Sequence, residues 1–383
     1  MDRIKVSKVA KQIRGVSYKP EDLHNMRDDN SVTLLRANNI QDGKVDFEDV
    51  LYVDKSKVSQ VQYLQKGDIL VCASSGSKSI VGKAASIDFD GEYTFGAFCK
   101  VVRPIPEMTD YLGVYFQSQI YRGIISKVAM GANINNIRNE HIDNLEIPAK
   151  TSKEISGIVQ RVKLLQYIIN YRKLELQKLD ELVKARFVEM FICKDNPMVT
   201  LDSLTLGKSE YGAQSASAEY DSNRPRYIRI TDINDDGTLN NDIVSSANIE
   251  DDQRYKLTYG DFLFARMGAT VGKTYAYKSG DQIFAGYLIR YKLNLQKIMP
   301  EYLFAYTKLE KYKKWVLLNQ SGAAQPGINA KKYGSLQIPL APLEEQRAFT
   351  NFVRQTDKSR LLIRKSLEQM ETLKKALMQQ YFG

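Results

Sequence analysis

Apolar residues recur at alternating steps of three and four positions along residues 153–192. This spacing is typical of a coiled-coil seam, and neither proline nor glycine follows Gly157 in the stretch. A less regular seam runs along residues 343–382, directly after Pro342, where the first helical turn tolerates proline. Both stretches are predicted to be helices of about 50–57 Å, at 1.5 Å per residue. The seam positions are Val162, Leu165, Ile169, Leu176, Leu179 and Val183, then Phe349, Val353, Ile363, Leu367, Met370, Leu373 and Leu377.

The remaining sequence alternates short extended stretches with turn signals such as Asp42-Gly43. We define head one as residues 1–148 and head two as residues 196–340, with long helices at 149–195 and 341–383. Each head is predicted to be an α+β domain. The predicted extended stretches are Val32–Asn39, Val45–Val53, Asp68–Ala73, Val81–Ile87 and Phe95–Val102, then Tyr227–Ile233, Phe262–Arg266, Gly272–Tyr277 and Ile283–Leu293; the predicted helices are Thr109–Val128 and Pro300–Leu318.

The second half of the chain repeats the first. Ile147-Pro148 returns as Ile338-Pro339, at an offset of 191 residues. Because the offset drifts by only a few residues, as loop insertions in a shared fold produce, we predict duplication of a whole domain rather than a short solenoid repeat. Further matched pairs are Tyr18 with Tyr211, Arg36 with Arg229, Gly67–Leu70 with Gly260–Leu263, Val81–Lys83 with Val271–Lys273, and Phe95 with Phe284.

Either long helix alone would expose an apolar stripe, so the two helices are predicted to pack against each other. The chain order of helix, head and helix favours an antiparallel coiled coil with a pseudo-twofold relation between the halves. The heads are then expected at opposite ends of the paired helices. The residues predicted to pair the helices are Val162, Leu165, Ile169, Leu176, Leu179 and Val183 with Ile363, Leu367, Met370 and Leu377.

Composition narrows the class of protein. The chain is 43% apolar and 26% charged, which is typical of a globular protein, and no apolar run is long enough to span a membrane. The start of the chain lacks the apolar core of an export signal, so a cytoplasmic location is expected. Cys72, Cys99 and Cys193 fit no metal-binding spacing and are expected to be buried free thiols. The net charge of +10 favours a polyanionic partner such as nucleic acid.

Signatures of catalysis are weak. Gly268–Thr274 resembles a phosphate-binding loop, but three residues rather than four separate its glycines, and a predicted strand follows it. His24 and His141 have no counterparts in the other head, and Asp42-Gly43-Lys44 is read as a turn rather than a nuclease element. The chain also lacks an Asn-Pro-Pro-aromatic segment for methylation of a base amino group. We therefore expect a non-catalytic chain without a metal or cofactor of its own.

Features suited to DNA are more numerous. Two pairs of polar loops occupy matched positions in the heads but differ in sequence, as expected if they face different bases; the alternative is that nothing constrains them. Arginine suits guanine, serine and threonine suit several bases, and lysine mainly holds phosphate. The predicted DNA-binding residues are Arg14, Ser17, Tyr18, Lys19, Arg36, Ser74, Ser75, Lys78 and Lys83 in head one, and Lys208, Ser209, Tyr211, Arg229, Arg266, Thr270, Lys273 and Gln325 in head two.

Three segments carry a family resemblance: Ser321–Asn329, Leu336–Gln346, and Arg266–Gly268 with Val271–Lys273. Together with the duplication and the long helices, they resemble the specificity subunit of Type I restriction–modification systems. Head one departs from this pattern, because Met130–Ile137 lacks the Gln-Pro element and Ala149–Glu154 lacks the Pro-Leu-x-Glu-Gln opening.

The resemblance implies a non-catalytic reader of double-stranded DNA. Each head would bind one half of a split, asymmetric sequence, and the paired helices would set the gap between the halves. Two modification subunits, which bind S-adenosylmethionine and methylate adenine, would dock on this chain. Two restriction subunits that use ATP and Mg²⁺ would join for cleavage.

Two other classes remain open from the residues alone. A stand-alone coiled-coil DNA-binding protein of architectural type would bind DNA without sequence preference and would need no methyltransferase. A nuclease or methyltransferase with an unrecognised site would turn over substrate as the purified chain. Neighbouring genes for a methyltransferase and a helicase–nuclease would favour the specificity subunit over both.

Overall fold

The computed structural model describes residues 2–128, 135–249, 252–322 and 326–383. The chain divides into two compact units. Unit one is Met1–Lys173 with Lys365–Gly383, and unit two is Leu174–Arg364. Each unit contains one head and a part of each long helix. The predicted class, with two α+β domains and two long helices, is confirmed.

Head one is built on two four-stranded sheets. The first sheet is antiparallel, and in the second the strand Tyr93–Phe95 runs parallel to Ser31–Leu35. In order across the sheets, the strands are Ala84–Ser86, Ile69–Cys72, Cys99–Pro104 and Ala10–Arg14, then Tyr93–Phe95, Ser31–Leu35, Leu51–Asp54 and Leu23–His24. Smaller pairs are Arg3–Lys5 with Glu146–Pro148, Ser74–Ser75 with Asn135–Asn136, and Ile40–Gln41 with Lys44–Val45; the helices are Thr109–Tyr115, Gln119–Val128 and Asn139–Asp143.

Head two repeats the first of these sheets as its main sheet, which confirms the internal duplication, while its described residues form two-stranded pairs in place of the second four-stranded sheet. Its main sheet is antiparallel. Outside this sheet, Arg226–Ile228 runs parallel to Gln282–Phe284, as Ser31–Leu35 does to Tyr93–Phe95 in head one. The main sheet contains, in order, Glu210–Tyr211, Leu288–Lys292, Asp261–Ala265 and Thr274–Ala276. The other pairs are Met198–Thr200 with Gln337–Pro339 and Ser217–Glu219 with Ser245–Ala247; the helices are Pro300–Tyr306, Glu310–Asn319 and Ala330–Gly334.

The predicted helix in each head is in fact two helices. In head one the break follows Tyr115, and the buried Ser118 uses its Oγ to accept a hydrogen bond of 3.1 Å from the Tyr121 backbone N–H. In head two the break falls after Tyr306, where the buried Thr307 donates to the Phe304 carbonyl at 2.8 Å. A short polar side chain that bonds the local backbone favours a helix end over a helix interior. Apolar periodicity alone does not report such a break.

The long helices are Ser152–Phe187, continued by a π-helical turn Val188–Ile192, and Leu343–Phe382. Within unit one, Lys173 forms an ion pair with Glu371 at 3.6 Å, and the guanidinium of Arg161 lies 5.7 Å from the centre of the Tyr381 ring. As the residue number rises along the first long helix, the number of the contacting residue on the second long helix falls. The predicted antiparallel pairing is confirmed.

Within unit two the same pairing is made by Arg360, which lies on the second long helix. Its guanidinium contacts Asp180 of the first long helix at 2.8 Å and Asp357 on its own helix at 2.6 Å. These charges flank the partly buried apolar positions of that part of the seam.

Most predicted seam residues face the helix pair or the head core. Val162, Leu165 and Ile169 are buried, whereas Leu373 is 45% exposed, so its predicted place in the seam is wrong. The neighbouring Lys374 turns inward instead and donates a hydrogen bond to Gln166. The partly buried predicted positions are Leu176, Leu179, Val183, Ile363, Leu367, Met370 and Leu377.

Cysteine burial follows the prediction at two of three positions. Cys72 and Cys99 are buried free thiols on paired strands, and burial raises the pKa of each. Cys193 is exposed, because it lies beyond the end of the first long helix in the link to head two.

A phenylalanine at the end of each long helix completes a head core. Phe382, at the end of the second long helix, is fully buried, with its ring 5.1 Å from Tyr111 and 5.4 Å from Tyr115 in head one. The Tyr111 hydroxyl donates to the Pro148 carbonyl at 3.1 Å. The helix Thr109–Tyr115 therefore contacts both Phe382 and the strand Glu146–Pro148, which leads into the first long helix.

The arrangement recurs in unit two. Phe191, just beyond the first long helix, is fully buried with its ring 4.8 Å from Tyr302 and 5.5 Å from Phe349. The Tyr302 hydroxyl donates to the Pro339 carbonyl at 2.5 Å. Phe191 and Phe382, like Tyr111 and Tyr302, stand 191 residues apart, so the duplication includes the anchoring of the helices on the heads.

Truncating either anchor is expected to destabilise the protein. Phe382→Ala and Phe191→Ala each remove a fully buried ring, which costs about 3–5 kcal/mol of the free energy of unfolding. Leu164→Ala and Leu361→Ala, at positions 59% and 69% exposed, serve as controls and should change it by less than about 0.5 kcal/mol. Denaturant unfolding measures the difference, and equal effects of anchor and control variants would contradict this account of the core.

Candidate DNA-binding surface

Both heads have a five-residue turn between equivalent strands. We define turn one as Phe95–Cys99 and turn two as Phe284–Leu288, each counted from the last residue of the preceding strand. The Cys99 N–H donates to the Gly96 carbonyl, and the Leu288 N–H donates to the Ala285 carbonyl, both at 2.8 Å. The backbone geometry of the two turns is therefore the same.

On one side, each turn contacts the first segment of its head. Val16 donates to the Phe95 carbonyl at 2.8 Å, and Ala213 donates to the Phe284 carbonyl at 2.9 Å. The residue before each donor is a glycine because there is no space for a side chain. A Cβ on Gly15 would lie 2.2 Å from the Gly96 oxygen, and the equivalent Cβ on Gly212 would be similarly obstructed.

This contact corrects the predicted match of Tyr18 with Tyr211. Arg14 lies opposite Lys100 in the sheet of head one. Tyr211 lies opposite Ile289, which is the equivalent of Lys100 in head two. Arg14 is therefore the equivalent of Tyr211, and Tyr18 comes later in its segment. The sequence match was wrong because it aligned two tyrosines, whereas the fold aligns the two glycines at the close approach.

On the other side, each turn contacts a loop. We define loop one as Ala73–Lys83 and loop two as Arg266–Lys273. The N–H of Ala73 donates to the Phe98 carbonyl at 2.9 Å, and the N–H of Arg266 donates to the Tyr287 carbonyl at 3.0 Å. Loop one is three residues longer, yet both loops close on the strand before them through a glycine N–H.

Loop two presents an arginine on an aromatic support. The Arg266 guanidinium lies 4.8 Å from the centre of the Tyr211 ring, and the Arg266 carbonyl accepts from the Ile328 N–H at 2.9 Å. The Thr270 hydroxyl donates to the Met267 carbonyl at 3.3 Å within the loop. Two predicted residues, Arg266 of the loop and Tyr211 of the strand Glu210–Tyr211, are therefore in contact, and Thr270 lies in the same loop. Gln325 lies outside the described residues.

Loop one presents serines instead. Ser74–Ser75 pairs with Asn135–Asn136, and the Ile137 N–H donates to the Ala73 carbonyl at 2.7 Å, as Ile328 does in head two. Ser74 and Ser75 are partly exposed and Lys78 is exposed, so the predicted polar groups reach the surface here. Most of the first head's counterpart to Ser321–Asn329, at residues 129–134, lies outside the described ranges.

Several predicted basic residues are engaged within their own heads. Arg36 contacts Asp49, and Arg229 contacts Asp232, each at 2.8 Å. Lys273 contacts Asp235 at 2.9 Å, and this bond holds the pKa of the Asp235 carboxyl below its usual range. These side chains stabilise turns of the fold, and contact with DNA stays a prediction for them. Lys83 is the backbone equivalent of Lys273 in head one. Of the other predicted residues, those exposed are Arg14, Ser17, Lys19 and Lys208, and those partly buried are Tyr18 and Ser209.

A buried ion cluster supports turn two. Arg290 is 3% exposed, lies 4.9 Å from the centre of the Phe284 ring and contacts both Glu210 and Asp261. Burial raises the pKa of Asp261 despite the nearby charge of Arg290. Head one has an aliphatic residue, Val101, at the place of Arg290. The surroundings of the two turns have therefore diverged more than their backbones.

Sequence reasoning missed the two most prominent side chains of this surface. Phe98 in turn one is 71% exposed, and Tyr287 in turn two is 53% exposed. They stand 189 residues apart, which is the offset of the recognised pair Phe95 and Phe284. Continuing that alignment by three residues would have found them.

A partly buried lysine in unit two is held by contacts within its own head. A cavity of about 1010 Å³ in unit two is lined in part by Lys308, whose pKa burial lowers to about 8. Its Nζ donates to the Asp235 carbonyl at 2.7 Å and lies 4.3 Å from the Phe304 ring centre, so the fold holds this amine. In the described part of the chain, no group of three or more His, Cys, Asp or Glu residues is arranged to hold a metal, and no helix is long and apolar enough to cross a membrane.

Comparison with known proteins gives a consistent set of relatives. Residues 208–372 match the family model of the Type I restriction modification DNA specificity domain. The chain is 30% identical over 374 residues to the Type I restriction enzyme StySPI specificity subunit of Salmonella potsdam, covering 91% of this chain and 80% of the relative. It is 29% identical over 376 residues to the EcoKI specificity subunit of Escherichia coli K12, with the same coverage.

Solved structures agree on the fold. The S subunit of a Type I restriction–modification system from M. genitalium has a TM-score of 0.57 at 14% identity, covering 100% of this chain and 96% of that one. A chain from a structure concerned with complex assembly and conformational transition of the Type I system has a TM-score of 0.56 at 16% identity, covering 100% and 97%.

The glycine at the close approach is expected to be essential for each surface. Gly15→Ala and Gly212→Ala would each force a Cβ against the backbone of the adjoining turn, at a cost of about 1–3 kcal/mol to the free energy of unfolding. Gly123→Ala is the control, because its Cβ would meet nothing within 4 Å and alanine favours the helix by about 0.5–1 kcal/mol. Thermal unfolding distinguishes these signs; a neutral Gly15→Ala would contradict the close approach.

Proposed function

The chain belongs to the specificity subunits of Type I restriction enzymes, and from this premise we propose that its two heads each bind one half of a split, asymmetric DNA sequence. The observation that carries the proposal is the duplicated surface of turn and loop. The backbone hydrogen bonds that tie each turn to the first segment and to the loop of its head recur in both heads, while most of the side chains at this surface differ. A shared frame with different side chains suits two heads that read different bases.

In head two, Arg266 is the leading candidate for base readout. A guanidinium can donate two hydrogen bonds to the major-groove edge of guanine, and the Tyr211 ring beneath it limits its rotation. In head one, Ser74 and Ser75 occupy the corresponding side of the turn and can bond several bases. The exposed Lys19, Lys78 and Lys208 suit phosphate contacts, which fix the position of the duplex rather than its sequence.

The paired long helices are proposed to set the gap between the half-sites. Their antiparallel pairing is held by apolar seam positions and by ion pairs within each unit, such as Arg360 with Asp180. Such a pair resists bending and so suits a spacer of fixed length.

The helices are also proposed to bind two modification subunits. Leu164, Tyr167 and Tyr171 in unit one are 53–66% exposed, and the two tyrosine rings stack with centres 6.2 Å apart. In unit two, Leu361 and Leu362 are each 69% exposed. Large apolar groups at i, i+3 and i+7 on an exposed helix face favour docking of another helix. The partners would supply S-adenosylmethionine-dependent methylation, and restriction subunits would supply ATP- and Mg²⁺-dependent cleavage, while this chain would remain non-catalytic.

Exchanging one head is expected to change one half-site. Replacing residues 197–336 with the corresponding segment of a relative should alter one half of the methylated sequence and leave the other half unchanged, because the frame of head one lies outside the exchanged segment. Mapping of methylated adenines measures both halves in the same experiment. A change in both halves would contradict independent reading by the heads.

Lengthening the helices is expected to lengthen the gap. One heptad inserted at facing positions of both long helices adds about 10 Å, or about 3 base pairs, at 1.5 Å per residue and 3.4 Å per base pair. Both half-sites should stay the same, since neither head is altered. Insertion into only one helix is the control and should disrupt the pairing. A paired insertion that folds and methylates with an unchanged gap would refute the role of the helices as the spacer.

A further inference from the structure

The two turns carry a large ring at the same position although the heads differ widely in sequence. Phe98 and Tyr287 each precede a buried strand residue, Cys99 and Leu288, which are 1% and 0% exposed. The strand residue fills the core, so the ring beside it is left to solvent. A single exposed aromatic residue needs no explanation. Two rings at equivalent places next to the two candidate reading loops do need one.

The backbone holds both rings in place from two sides. The first segment of each head is bonded to the residue that begins the turn, at 2.8 Å from Val16 and 2.9 Å from Ala213. The carbonyl of the aromatic residue itself accepts from the loop, at 2.9 Å from Ala73 and 3.0 Å from Arg266. Hydrogen bonds therefore fix the backbone that carries each ring. This reduces the entropic cost of an apolar contact between the ring and DNA.

The neighbours of the rings point to the same ligand. In head two, the Arg266 backbone N–H donates to the Tyr287 carbonyl, so the residue that carries the candidate guanine reader adjoins the residue that carries the ring. In head one, Ser74 also donates its N–H to the Phe98 carbonyl, at 3.0 Å. A polar loop that reads base edges would thus have an apolar ring at its side. Apolar side chains read the methyl group of thymine or insert between base steps, so such a pair can recognise adjacent bases.

We propose that Phe98 and Tyr287 are specificity-determining DNA contacts, each placing its ring against the bases of the half-site read by its own head. This inference rests on the proposed function and adds to it the residues that supply apolar readout. Phe98 can offer only an apolar surface. Tyr287 can also donate a hydrogen bond, so the two heads would differ in what their rings accept.

The test compares the sequences methylated by the complete complex with substituted chains. Phe98→Ala should lower preference at one or two positions of one half-site by roughly tenfold, and Tyr287→Ala should do the same in the other half-site only. Phe98→Leu and Tyr287→Phe keep an apolar group and should retain more of the preference. Met26→Ala and Tyr220→Ala are the controls, at positions 72% and 49% exposed that lie outside the turns.

Synthetic duplexes carrying the mapped sequence distinguish the two forms of apolar contact. If a ring reads a thymine methyl, replacing that thymine with uracil should weaken binding of the unaltered chain and have no effect on the alanine variant. If a ring inserts between base pairs, the fluorescence of 2-aminopurine placed at that base step should increase on binding of the unaltered chain and not on binding of the alanine variant. Either result supports the proposal.

The outcomes separate this inference from the proposed function. If the unaltered chain directs no split methylation sequence, the proposed function itself fails. If it does, and both alanine variants fold and give the unaltered sequences and rates, the role of the rings is refuted while the proposed function stands. A Phe98→Ala variant that relaxes both half-sites equally would also refute it, because the contact would not belong to one head. Because both rings are largely exposed, the variants are expected to melt like the unaltered chain.

Discussion

Burial of one phenylalanine at the end of each long helix is the constraint on which the rest of the structure depends. Phe382 completes the core of unit one from a position more than 260 residues beyond Tyr111 and Tyr115, the rings that it packs against. Phe191 does the same against Tyr302 in unit two. Because the helix ends are part of the head cores, a head cannot lose its helix without exposing a fully buried ring. The helices are consequently structural components of the heads and not flexible linkers.

Because of this anchoring, one part of each head keeps the fold constant while another part can vary in what it recognises. The helices Thr109–Tyr115 and Pro300–Tyr306 bond the Ile-Pro strands in the same way in the two units, through the hydrogen bonds of Tyr111 with Pro148 and Tyr302 with Pro339. The turns keep their backbone bonds, the buried residues at their ends and one exposed ring each. The other exposed side chains of the turns and loops differ between the heads, because they contribute little to either core. A duplicated protein can in this way change what it recognises without changing how it folds.

The sequence was sufficient for features that apolar periodicity and repeated motifs report. The long helices follow from the seam around Val162 to Ile169, the duplication from the repeated Ile-Pro strand, and the antiparallel pairing from the chain order of helix, head and helix. It was insufficient where a single contact decides the register. Gly15 and Gly212 are aligned by a carbonyl that approaches too closely for a side chain, so aligning Tyr18 with Tyr211 failed. The exposed rings of Phe98 and Tyr287 were overlooked because hydrophobic residues are expected inside, and only the fold shows which ones are not.

Methylome sequencing of cells that express the cognate methyltransferase subunit, with and without this chain, tests the central claim most directly. The account predicts a split, asymmetric sequence methylated on adenine that disappears when the chain is absent, with one half assigned to each head. With the methyltransferase shown to be folded and bound to the chain, methylation that does not depend on the chain, or a continuous recognition sequence, would contradict it.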